Sequence, residues 1–145
     1  MLYDYFVAAD DTMAEQTYTE LDGGRCAGYP ELVVKRADPH DLLPVEASLT
    51  GRTAEEVEAD PQRCRDIGEF DEFEELECAV VALSGSFRDA LATADDDALR
   101  AAVAAFAEQD ELGETDGLLP FLKELAVLAN GAVTHRHQLC CRIVW

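Results

Sequence analysis

The sequence predicts an α+β fold: one domain of about four mostly antiparallel strands packed against five or six helices. Three observations carry this. Strand-like apolar runs stand at both chain ends and in the middle, capped amphipathic stretches of helical length lie between them, and the order is not a regular βαβ alternation. Strands at both termini imply that the N- and C-terminal segments pair inside one sheet. At 145 residues the chain has the commonest single-domain size. Folding at that length buries about 68–70% of the unfolded surface, so one core suffices.

The segment from Leu2 to Ala9 alternates, with Tyr3, Tyr5 and Val7 on one face and Asp4 interrupting the other. Asp10, Asp11 and Thr12 offer an N-cap for a short helix to about Leu21. The glycines and proline from Asp22 to Pro30 mark a loop, and Leu32, Val33 and Val34 form a short strand between Glu31 and Arg36 that Asp38-Pro39 ends. A helix runs from Asp41 to Ser48, with Pro44 tolerated in its first turn and Gly51 stopping it. Thr53-Ala-Glu-Glu56 is a capping box opening a further helix through Val57. Asp60-Pro61 turns the chain, and Cys64 and Ile67 face the core.

The run from Leu76 to Leu83 is apolar on both faces, which predicts the central strand. Ser86 to Asp89 caps a helix carrying Phe87 and Leu91, and Asp95 to Asp97 caps another with Leu99, Val103 and Phe106 on one stripe. Asp110 to Asp116 reads as a loop. The following helix aligns Leu118, Leu122, Leu125 and Ala129, with Asn130-Gly131 as a candidate stop or a continuation to Thr134. Gln138 to Trp145 alternates and forms the closing strand. Paired with the first strand, it brings Trp145 near Tyr3 and Tyr5, in the core or along a groove.

The charge balance narrows the function. With 31 Asp and Glu against 11 Lys and Arg, the formal charge is -20. Such an excess excludes direct binding to nucleic acid or to an anionic membrane surface, since both require cations against phosphate. No stretch approaches the roughly 18 apolar residues of a membrane span. The N-terminus, interrupted by Asp4, reads as a strand and not as a signal peptide. Five cysteines at irregular spacing fit reduced thiols, which makes the cytoplasm the expected compartment. Only two of the basic residues, Lys35 and Lys123, are lysine. With abundant alanine, that fits a GC-rich genome, and equally a salt-loving organism whose acidity is environmental.

The strongest local bias is the segment from Asp66 to Glu77, in which seven of twelve residues are acidic and two are phenylalanine. Aromatic anchors among carboxylates suit a docking surface for a basic protein, so the expected partner-binding residues are Phe70, Asp71, Glu72, Phe73, Glu74 and Glu75. The competing reading is a solvated loop whose two rings tuck into the core. The concrete version of the binding reading is an inhibitor or immunity protein acting on a basic partner.

The alternative is a small enzyme or metal-binding protein centred on His135, His137, Cys140 and Cys141, two imidazoles and two thiols within seven residues. That spacing matches no common zinc pattern, and vicinal cysteines point to opposite faces of a strand. A fourth ligand would have to come from His40 or Cys26. The bland reading is polar residues ahead of an edge strand whose cysteines act as small hydrophobes. With that spacing no metal site is assigned, and with neither G-x-S-x-G nor a phosphate-binding glycine loop present no catalytic residue and no cofactor are assigned.

The opening Met1-Leu-Tyr-Asp-Tyr-Phe-Val-Ala-Ala-Asp10, the middle Leu42 to Val57 and the closing Leu139-Cys-Cys-Arg-Ile-Val-Trp145 resemble a set of small uncharacterised actinobacterial proteins. These open M-x-Y-D-Y-F, carry an L-L-T-G-R-x-x-E-E-like segment and end in a Cys/aromatic strand; Ser48 here replaces the more usual Leu before L-T-G. The L-T-G segment is also faintly similar to YfbM-type proteins. The resemblance implies a complete small protein and the same fold, and it brings no activity or site residues with it.

Overall fold

The computed structural model describes residues 2–16, 32–35, 37–67, 78–109, 115 and 117–144. Its elements are β1 (Leu2–Ala8), α1 (Asp11–Glu15), β2 (Leu32–Val34), a 3-10 turn (Pro39–Leu42), α2 (Leu43–Thr50), α3 (Ala54–Glu58), β3 (Arg65–Asp66), β4 (Cys78–Ala82), α4 (Gly85–Thr93), α5 (Asp96–Gln109), α6 (Leu118–His135) and β5 (Gln138–Val144). The fold is α+β. The strands form one antiparallel sheet in the order β2-β1-β5-β4-β3, with the N- and C-terminal strands side by side.

The register from Leu2 opposite Val144 to Ala8 opposite Gln138 sets every face. Period-two alternation sends Tyr3, Tyr5, Val7, Leu139, Cys141 and Ile143 to the first face, where Val45, Phe87, Leu91, Leu99 and the buried stripe of α6 cover them. That stripe contains Leu118, Leu122, Leu125 and Ala129, as the 3.6 period requires, together with Phe121, Leu128 and Ala132. Phe121 meets Tyr5 edge to face at 5.2 Å. On the second face Phe6, Ala8, Ile67, Cys78, Val80, Ala82 and Cys140 form a smaller core with Ala14 of α1.

Several expectations are corrected. There are five strands among the described residues, because the two-residue β3 pairs with β4 at a point where Asp60-Pro61 had indicated only a turn. The central strand is β5. The run from Cys78 stands next to it, and Gln138 and Arg142 give the middle strand the alternation of a half-exposed one, which hides its position in the sequence. For the same reason the residues after His137 do not enter an edge strand. The cap of α4 is Ser84, whose side chain accepts from the Phe87 N–H, so Ser86 lies inside the helix. Asn130-Gly131 does not stop α6. Packing carries the helix through to His135, where Arg136 turns left-handed at φ 57° and donates to the Val133 carbonyl.

Other signals hold. Thr53 accepts from the Glu56 N–H, Asp10 from the Met13 N–H, and Gly51 ends α2 at φ 70°. The expected helix beyond Gln16 to Leu21, the loop to Pro30, the part of the acidic segment that holds Phe70 and Phe73, and Trp145 lie outside the described residues. No helix among the described residues is long and apolar enough to cross a membrane.

Arg136 supplies a direct test. A non-glycine residue in the left-handed region is strained by its Cβ, whereas glycine adopts it freely. Arg136→Gly is expected to stabilise the protein by about 1 kcal/mol, read as a higher urea midpoint at unchanged slope.

Candidate functional site

The described residues contain one buried polar network, and it joins four elements. Glu46 stands on α2 beside the buried Val45, with its carboxylate turned into the protein and its side chain 3% exposed. Its Oε1 accepts from the Ser84 hydroxyl at 2.7 Å, and its Oε2 from Arg63 Nε at 3.2 Å. Arg63 Nη2 also donates to the His40 carbonyl at 2.6 Å, so one guanidinium ties the 3-10 turn to α2. Arg52 Nη1 pairs with Asp60 at 3.2 Å, while its Nη2 donates to Ser86 Oγ at 3.1 Å and lies 3.9 Å from Glu46.

A buried carboxylate survives only when it is neutralised and hydrogen-bonded on its remaining lone pairs. Here two arginines supply the charge and Ser84 the additional donor. Ser84 is held on both sides, giving its proton to Glu46 and accepting from the Phe87 N–H at 3.2 Å. The network therefore locks the β4–α4 junction onto α2. Asp60, which accepts from the Gln62 backbone N–H and then from Arg52, has its carboxyl held below the ordinary value of 3.8.

A second cluster surrounds Tyr5. Its hydroxyl donates to the Ala37 carbonyl, pinning Ala37 at φ 95°, a conformation that costs an L-residue roughly 1–3 kcal/mol. Asp38 then accepts from the His40 N–H at 2.9 Å and lies 2.8 Å from His40 Nδ1, while Tyr3 donates to its other oxygen at 3.5 Å. Burial pushes the Tyr5 hydroxyl and the Cys141 thiol well above their ordinary values. Burial also raises Cys64 to about 11. These thiols stay protonated at neutral pH and are poor nucleophiles.

The candidate His/Cys cluster is only partly assembled. His135, exposed at the end of α6, and His137, half-buried in the following turn, have ring centroids 5.8 Å apart. Cys140 and Cys141 are fully buried in β5, on the second and first faces respectively, away from one another. Among the described residues no three His, Cys, Asp or Glu side chains come together as a metal site. The expected docking residues Phe70, Asp71, Glu72, Phe73, Glu74 and Glu75, and the candidate fourth ligand Cys26, lie outside the described residues.

Glu46, Arg52 and Arg63 carry no mark in the sequence as members of such a network. Ser84 ahead of Gly85, straight after an apolar strand, was a legible cap signal that the neighbouring Ser86 obscured. Nothing local distinguishes Glu46 from the chain's other carboxylates. Comparison with family models, with curated proteins and with solved structures yields no match.

Two outcomes follow from these clusters. Glu46→Leu strands Arg63 and the Ser84 hydroxyl and should cost about 3–5 kcal/mol, whereas adding Arg63→Met should recover much of the loss, measured by urea unfolding of both variants. At alkaline pH the unfolded chain releases the Cys64 proton from the ordinary value of 9.0, while the folded chain holds it to about 11. Stability therefore falls across that interval, and Cys64→Ala should show a shallower decline there in pH-dependent melts.

Proposed function

We propose that the protein acts by binding another protein, a basic one, as an inhibitor or immunity protein does. One observation carries this reading. The part-buried arginines Arg52, Arg63, Arg65 and Arg88 are each bonded to carboxylates of the same chain, to Asp60, Glu46, Asp11 and Asp89. Much of the scarce positive charge is thus spent internally. Exposed carboxylates such as Glu55, Glu56 and Glu58 on α3, and Asp95 and Asp97 at the start of α5, are left to set the outer field.

A field of that sign raises the encounter rate with cationic surfaces and repels nucleic acid and anionic membranes. Docking falls to Phe70 and Phe73, ringed by Asp71, Glu72, Glu74 and Glu75, with the aromatic rings supplying burial and the carboxylates selectivity. A reducing cytoplasm belongs to the same reading, supported by the free thiols Cys64, Cys78, Cys140 and Cys141.

The test is capture from the native host by cross-linking, followed by reconstitution with the purified partner. The captured protein should be strongly basic and its affinity should fall as salt rises. Replacing both Phe70 and Phe73 with Ala should weaken binding at least about tenfold with an unchanged melting temperature. A partner without excess positive charge, or a double variant that unfolds, would sink the proposal.

A further inference from the structure

The second face of the sheet is closed over Phe6, Ala8, Cys140 and Ile67 but opens at one corner, over β2, β1 and the end of β5. There Leu2 is 42% and Val33 43% exposed, two of only four large apolar side chains so exposed among the described residues. Val144, directly opposite Leu2, is part-exposed as well. Arg142 stands among them on the same face, opposite Asp4, which is in turn opposite Val33.

Arg142 breaks the rule that the other part-buried arginines among the described residues follow. It is part-buried, and its Nε is shut off from solvent with no hydrogen-bond partner. Arg52, Arg63, Arg65 and Arg88 each hold a carboxylate, and among the described residues none lies within ion-pair distance of Arg142. In a chain with 31 acidic residues a part-buried guanidinium is easily paired, so leaving this one open costs desolvation with no local return.

We propose that this corner binds a monocarboxylate with an apolar body. The carboxylate accepts from the two terminal nitrogens of Arg142, since its Nε is shut off from solvent, and the body lies over Val144, Leu2 and Val33. Val33 is two strands from Arg142, which gives the body a length of roughly 10 Å. Asp4, buried directly opposite Arg142 and engaged in an interaction of its own, sets a carboxyl beside the site that opposes a second negative charge on the ligand. One negative head group is therefore accepted and a dianion disfavoured.

The test is calorimetric titration of the full chain with octanoate, against acetate, octanol and inorganic phosphate. Octanoate should saturate one site, and each of the three controls should bind at least about tenfold more weakly. Arg142→Gln should lower octanoate affinity at least about tenfold, and so should Val33→Glu, which sets a repelling charge at an exposed edge position where folding is little affected. Thermal melts by circular dichroism establish that each variant is folded. Octanol binding as tightly as octanoate, an absence of saturation, or a folded variant with the parent affinity would overturn the assignment.

Discussion

The antiparallel register between β1 and β5, from Leu2 opposite Val144 to Ala8 opposite Gln138, is the constraint on which the other elements depend. It closes nearly the whole chain into one loop, at an entropy cost that grows only logarithmically with length. The return is burial of Tyr5, Val7, Leu139 and Cys141 on one face and of Phe6, Ala8 and Cys140 on the other. With those two strands side by side, β2 adds outside β1, and β4 with β3 outside β5. The helices then have one broad apolar face to cover, and α6 takes its middle because its buried stripe runs its full length.

Charge is handled by a second rule. A chain this acidic repels itself, and four of its arginines are placed where one guanidinium joins two parts of the fold. Arg65 forks onto Asp11 at 2.7 and 2.9 Å, binding β3 to α1. Arg88 reaches the His137 carbonyl at 2.9 Å, tying α4 to the turn before β5. Arg63 and Arg52 meet over Glu46. The bidentate Arg65 bond also holds the Asp11 carboxyl below its ordinary value, although exposure to water on both sides keeps its stabilising effect small.

Legibility follows the range of the interaction that decides each feature. The Thr53 cap, the Gly51 stop and the Leu118, Leu122, Leu125 and Ala129 stripe are set within one or two turns, and the residues announce them. The sequence leaves the end of α6 open between Gly131, a plausible local stop, and Thr134, and the buried Ala132 continues the packed face to the later end. The hub at Glu46 was invisible because its partners are contributed from 17 and 38 residues away. Arg142 reads in the sequence as an alternating polar position, and its isolation is evident only beside the other described part-buried arginines, which are paired.

The amino-acid sequence by itself determined the fold class, the helical faces, the local caps and the sign of the surface field. Each depends on periodicity, on a neighbour within four residues, or on a sum over composition. Only the tertiary structure decided that β5 is central, that Glu46 is buried among arginines and that Arg142 stands open beside Leu2 and Val33. Those are properties of which strand lies next to which, and long-range pairing is selected by total burial over the sheet rather than by any residue's own preference.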